Sequence, residues 1–218
     1  MRGDWMHFEI LVEDQSGKKV LDILIPKIIS KQHKFKVRPY QGIGHIPKNL
    51  TNPANANTNL LLNQLPMQLR AYGKSYANDP TKVVIVVCDL DNNCLKTFRQ
   101  ELFRVLNACN PRPETRFCIA IEEGEAWLLG DILAIKAAYP KAKDNILNSY
   151  QNDSICGTWE LLADAIFAGG SNALSKRPWY VIGREKSAWA QKITPYMNVN
   201  KNSSPSFCYF RDKIRELI

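Results

Sequence analysis

At 218 residues, with 45% hydrophobic and 23% charged side chains, the chain has the size and balance of one ordinary globular domain with a substantial core. It holds no run of about 18 apolar residues, and MRGDWMHFEILVED reaches acidic positions without a continuous apolar stretch, so neither a transmembrane helix nor a signal peptide is expected. The net charge of +8 is uneven: Lys18, Lys19, Lys27, Lys31, Lys34, Lys36, Arg38 and Lys48 face only Asp22 in that stretch, a balance suited to a phosphate backbone or simply to a solvated face. His7, His33 and His45 are isolated and the six cysteines form no CxxC pair, which argues against a zinc site and for buried, reduced thiols in a cytoplasmic protein.

HFEILVE, residues 7–13, reads as a first strand ending in Glu13 and Asp14, and DQSG supplies turn and helix-capping residues behind it. Over residues 18–30 the positions Val20, Leu21, Leu24, Ile25, Ile28 and Ile29 keep helical spacing, with Pro26 expected to bend or break the helix. KFKVRPY alternates Phe35 and Val37 with basic residues, a half-buried strand that Pro39 ends or assigns to a sheet edge. GIGHIPKNL is a loop whose Gly42 and Gly44 lack the strand–GxGxxG–helix context of a phosphate-binding turn, and no Walker motif occurs. The asparagine-rich NLTNPANANTN is expected to be exposed, and a helix over 60–72 to be interrupted near Pro66.

KVVIVVC, 82–88, is a continuous apolar, β-branched run, as expected of a central strand covered on both faces. Leu95, Phe98, Leu102, Val105 and Leu106 share one face of a helix over 94–108, and RFCIAI, 116–121, is another buried strand. AWLLGDILAIKAAY continues as a helix. This alternation predicts an α/β, Rossmann-like fold with a mainly parallel sheet flanked by helices. From about 140 to 218 the pattern weakens: a helix over 158–168, a loop GGSNALSKRPWY, a short helix SAWAQKI, and a polar stretch before an amphipathic helix over 208–218. No repeat or linker divides the chain, so 1–218 reads as one domain with a less regular helical C-terminal part.

Three predicted strands end in acid: Glu13, Asp89 with Asp91, and Glu123 with Glu125. Ligands of open α/β sheets collect outside the carboxyl ends of the strands, so neighbouring strands would bring these five carboxylates together. In extended backbone Asp89 and Asp91 also share one side. Two unit charges 4 Å apart repel by about 4 kcal/mol at an effective dielectric of about 20, a large part of a domain's stability of roughly 5–15 kcal/mol. A shared proton or a cation relieves that repulsion. Oxygen ligands alone favour Mg²⁺ or Mn²⁺ over zinc, and an ion held by few carboxylates binds substrate phosphate, which suits phosphodiester hydrolysis. DLD by itself is equally a solvated turn in which Asp91 or Asn92 caps the next helix. The coincidence at three strand ends favours the metal.

Taken in order, ILVEDQSG, GIGHIPKNL, VVCDLDN, EEGEAWLLGD, KSAWAQKITPYM and NSSPSFCYFRD, spanning residues 10–212, resemble a bacterial Toprim-like family classed as a domain of unknown function. That family is related to the Toprim domains of topoisomerases, primases and overcoming-lysogenization-defect nucleases. The resemblance implies that Glu13 is the Toprim glutamate, a general acid or base, and that Asp89 and Asp91 are the metal-binding pair. It further implies that Glu123 and Glu125 complete a second metal position and that Lys186 meets the scissile phosphate. The implied activity is Mg²⁺-dependent nuclease chemistry on nucleic acid, DNA favoured over RNA, with an ATPase partner and a role in defence against phage or plasmids. One departure stands out: where related nucleases carry a second acid soon after the glutamate, this chain has Lys18 and Lys19, so Asp14 or Asp22 substitutes or the second site is incomplete.

Lys48, Ser204 and Ser206 join Lys186 as candidate phosphate contacts, although serines flanking Pro205 also suit a turn and helix cap. Trp127 fits core packing better than base stacking, and Asp131 either reaches the acidic edge or caps a helix. Two rival readings follow: an inactive Toprim-derived module that binds nucleic acid or an ATPase, and a nucleotide phosphohydrolase. The sequence does not decide between a monomer and a homodimer.

Overall fold

In the computed structural model, which describes residues 5–51, 58–155 and 157–218, four strands lie side by side in one sheet. They are β1 (His7–Val12), β2 (Lys34–Pro39), β3 (Lys82–Asp89) and β4 (Thr115–Ala120), in the order β2-β1-β3-β4 and all parallel. The fold is therefore α/β with a Rossmann-like parallel sheet flanked by helices. The central strand β3 is the most apolar, whereas the alternating, basic β2 occupies an edge with Pro39 at its end.

The chain steps from β1 to β2 on one side, then crosses back to lay β3 on the other. The winding direction therefore reverses between β1 and β3, the place where open α/β sheets leave a crevice at the strands' carboxyl ends. Helices α2 (Leu61–Tyr76) and α3 (Leu95–Asn107) cover one face, packing on Leu11, Val84, Val86, Phe117 and Ile119. Helix α1 (Gln15–Ile28) covers the other face, over Phe8, Ile10, Val12, Val83, Ile85 and Val87. The same core takes in α4 (Glu125–Leu129), α5 (Ile132–Ala138), α6 (Asp144–Leu147), α7 (Thr158–Ile166), α8 (Gly170–Leu174), α9 (Trp179–Ile193) and α10 (Pro205–Arg215).

Several expectations need correction. Neither proline interrupts its helix: Pro26 lies within α1 and Pro66 within α2. A proline removes one backbone bond, but the buried stripe of Leu61, Leu62, Leu65, Leu69 and Tyr72 holds α2 to the sheet and outweighs that loss. AWLLGDILAIKAAY is two helices, parted at Gly130 by Asp131, whose carboxylate accepts from the Ala134 amide at 3.0 Å and caps α5. The stretch read as a loop before SAWAQKI contains α8, and α9 begins eight residues early, at Trp179. Its first turn escapes the periodicity because Trp179 and Tyr180 face solvent.

The five described cysteines are free thiols, Cys88, Cys109 and Cys118 being buried; Cys156 and most of the asparagine-rich stretch lie outside the described residues. Among the described residues no helix is long and apolar enough to cross a membrane.

Candidate functional site

Strand register decides what meets at the carboxyl edge. Val12 pairs with Val87, which sets Glu13 level with Cys88 and beside Asp89; Asp89 pairs in turn with Ala120, the last residue of β4. The three acid-terminated strands are thus neighbours. Behind β1 the chain turns at once into α1, where Asp14 accepts from the Gly17 amide at 2.7 Å. Residue 17 must be small there, because a Cβ would stand 2.6 Å from Val12 Cγ2. Behind β3 and β4 the turns are tied together by the amides of Leu90 and Asp91, which donate to the carbonyls of Ala120 and Glu122 at 2.9 Å each.

The result is a cavity of about 210 Å³, with Val12, Leu21, Val87, Ala120 and Leu128 as apolar walls. Glu13, Asp14, Asp89 and Glu125 line it, and Lys186 enters from α9. The Lys186 ammonium lies 3.1 Å from Glu123 Oε2 and 3.4 Å from Glu125 Oε2. It supplies part of the positive charge that the acidic strand ends require.

The carboxyls remain strongly perturbed. Burial, then Asp91 and Asp14, push Glu13 up to about 7, against the Asp89 backbone amide and Lys186. Burial, with Glu13 and Glu125 beside it, raises Asp89 well above the usual carboxylate range. Burial also raises Glu125 and Asp91, Lys186 opposing in both cases. For Lys186, burial works against the charge, but Glu125 and Glu123 outweigh it and hold the ammonium more firmly than in water. One oxygen is left over: Glu13 Oε2 is buried and accepts no hydrogen bond.

The sequence candidates divide accordingly. Glu13, Asp89, Glu125 and Lys186 share the cavity, and Glu123 joins through Lys186. Asp91 does not follow the period-two expectation, because the strand has ended and its φ of +48° belongs to a turn; it acts on Glu13 through charge. Asp22 is exposed and pairs with Lys18 on the surface of α1, so of the two substitutes for the missing acid only Asp14 faces the cavity. Lys48 is exposed on the loop after β2 and does not line the cavity.

Ser204 and Ser206 are structural. The Ser204 hydroxyl donates to Asp153 at 2.7 Å and accepts from the Phe207 amide, while the Ser206 hydroxyl accepts from Trp127 Nε1 at 3.0 Å. That network holds Trp127 in the core, stacked 4.9 Å from Phe210. Asp131 holds the Asn198 amide at 2.8 Å besides capping α5, and lines no part of the cavity.

Two acids have roles that the strand pattern does not reveal. Glu122, at φ +62°, accepts from the amides of Gly157 and Thr158 at 2.8 and 2.9 Å and so fixes the start of α7. Glu160, on the first turn of that helix, is brought near Glu123 and Lys186; burial raises its carboxyl, Glu123 and Glu122 adding to the effect, and its Oε2 is a second buried oxygen without a partner. Nothing in TWELL signals this, since it depends on where α7 docks.

Among the described residues no three acidic, imidazole or thiol side chains are arranged, as they stand, to grip a metal ion. The chemistry of the donors nevertheless fits a hard divalent cation: all are oxygens, their charged forms are disfavoured by one another, and Glu13 Oε2 accepts no hydrogen bond from any described residue. Comparison of the chain with protein-family models, with curated proteins and with solved structures finds no match.

Proposed function

We propose that the chain is a Mg²⁺- or Mn²⁺-dependent phosphodiesterase of Toprim type that cuts nucleic acid, DNA in preference to RNA, in the cytoplasm. The observation that carries the reading is the convergence of Glu13, Asp89 and Glu125 on one cavity at the reversal point of the sheet, with a buried carboxylate oxygen left without a donor. Asp89 and Glu125, with Asp91 at the rim, would hold the ion, and Glu13 would stand beside it. A divalent ion there would offset the carboxylate repulsion and polarise a phosphoryl oxygen.

The chain's own groups supply the rest. Glu13, whose carboxyl is raised by burial and by Asp91 in the metal-free chain, stands at the same strand edge as the group to take a proton from an attacking water. Lys186 is a firm ammonium that can move from Glu123 and Glu125 to a substrate phosphate. The amides of the first turn of α1, beside Ser16 and Gly17, add positive potential at the same mouth. An ATPase partner and a role in defence against phage or plasmids belong to this reading through the Toprim resemblance.

The test is cleavage of plasmid and of circular single strands by purified protein with Mg²⁺ or Mn²⁺, beside Asp89→Asn. The expected result is metal-dependent cutting by the natural chain and none by the variant. Cutting that survives in Asp89→Asn removes this active site.

One observation supports a second reading. The Lys186 ammonium already bridges Glu123 and Glu125, as in a module where a lysine has replaced the metal and only binding remains. Calorimetric titration with Mn²⁺ separates the two: no uptake by the natural chain, with oligonucleotide binding intact, selects the binding module.

A further inference from the structure

We infer that the substrate is a single strand, received on an aromatic platform at the start of α9. The inference rests on the nucleic-acid reading of the acidic cavity and extends it to the strand state of the substrate. Trp179 and Tyr180 are 83% and 61% exposed, edge to face, with ring centroids 6.2 Å apart. Most exposed apolar residues of a domain need no explanation, but two adjacent large aromatics turned to solvent on a helix are an outlier. Around them stand Lys176, Arg177 and Arg184, all exposed and none in an ion pair among the described residues. Aromatic faces interleaved with unpaired cations form a surface for unstacked bases and their phosphates.

Position links this surface to the chemistry. Trp179, Gly183, Lys186 and Ala190 follow one another at helical spacing on one stripe of α9, and the last three line the acidic cavity. Trp179 therefore stands one turn beyond the cavity mouth. From Trp179 to Lys186 the helix rises about 10 Å, close to the length of three stacked nucleotides of one strand.

Gly183 lies between them. It occupies a helix interior, where glycine is unfavourable, and a Cβ built on it meets nothing within 4 Å. Packing does not require a glycine there. Its effect is an unobstructed track from the aromatic pair to Lys186. A duplex buries its base faces in its own stack and offers this pair only backbone, whereas a single strand offers both.

The experiment uses the full chain without divalent metal, so that binding is read apart from cleavage. A labelled oligothymidylate of about 16 nucleotides and a duplex of equal length are titrated by fluorescence anisotropy, with tryptophan emission followed in parallel. The single strand is expected to bind at least about tenfold more tightly than the duplex and to quench the emission. Trp179→Ala and Tyr180→Ala should each weaken it by about tenfold, Trp179→Phe by much less, with melting temperatures unchanged because both side chains are exposed. Gly183→Gln should weaken it too while the helix is kept. Equal affinity for duplex, or alanine variants that bind as the natural chain does, would overturn the platform. So would emission that responds to phosphatidylserine vesicles and not to the oligonucleotide. If the binding pattern holds but Mg²⁺ or Mn²⁺ elicits no cutting, the platform stands and the phosphodiesterase reading falls.

Discussion

Strand β1 holds Glu9 and is followed at once by Glu13, four residues on, and the structure treats the two glutamates in opposite ways. Glu9 is 3% exposed, yet one oxygen accepts from Arg38 Nε and from the Tyr72 hydroxyl at 3.2 Å, and the other lies 3.2 Å from His7 Nε2. Its neighbours register the charge: the hydrogen bond to Glu9 raises Arg38, and burial with Glu9 pushes Tyr72 up. Glu13 has the Asp89 amide and the more distant charge of Lys186 in its favour, but Asp14, Asp89 and Asp91 crowd it and one buried oxygen has no donor among the described residues. A buried carboxylate supplied with donors by its own fold is a structural element. One whose neighbours are further carboxylates is completed only by a proton or by something that binds.

The largest expected effects separate these roles. Glu13→Gln should lower metal-dependent cleavage by roughly 10²–10⁴-fold, the usual contribution of a positioned general base, while leaving the metal-free protein at least as stable as before. Arg38→Ala should do the reverse. It leaves Glu9 buried with its main cation gone, at a cost of about 3 kcal/mol in urea unfolding, and leaves cleavage per folded molecule unchanged. Loss of stability in Glu13→Gln, or loss of turnover in Arg38→Ala, would break the contrast.

The pH dependence follows from the same contrast. The Glu13 carboxyl is raised from 4.5 to about 7, so between those values the folded chain binds more protons than the unfolded one. The metal-free protein should therefore be most stable below about pH 4.5 as far as this group is concerned. It should lose on the order of 3 kcal/mol as pH rises through 7. Added Mg²⁺ should cancel the decline at neutral pH, and Glu13→Gln should flatten it. A flat profile in the metal-free natural chain would mean that Glu13 is satisfied in a way its neighbours do not suggest.

The sheet and the acids at its edge were legible because both are written locally. Continuous β-branched runs mark buried strands, and Glu13, Asp89 and Glu123 follow such runs directly, so adjacency of the strands was the single tertiary fact needed. The period-two argument for Asp91 failed one residue past the strand end, where the backbone turns to φ +48°. Ser204 and Ser206 looked available because a sequence does not show that Asp153 and Trp127 already use their hydroxyls. Glu160 and Glu9 were missed for the same reason: the partners that define them lie on the turn between β4 and α4, on α9, on α2 and on β2, brought there by packing alone. The start of α9 was hidden by its exposed aromatics, which give the first turn no buried stripe.

The smallest effect sharpens the account of Glu9. Tyr72→Phe deletes a buried hydroxyl that donates to Glu9 Oε1, while the ring keeps its place 5.2 Å from Tyr76. Arg38 still reaches the same oxygen and His7 the other, so the carboxylate is weakened in its surroundings but not abandoned. The expected cost is about 1 kcal/mol, that of one net hydrogen bond, against the larger loss in Arg38→Ala. In Arg38→Ala/Tyr72→Phe the combined loss should exceed the sum of the two single losses, because the second deletion then removes a donor from a carboxylate oxygen that has already lost its arginine. Strict additivity in that cycle would mean that the arginine and the tyrosine support β1 separately, and that Glu9 is not the point where their contributions meet.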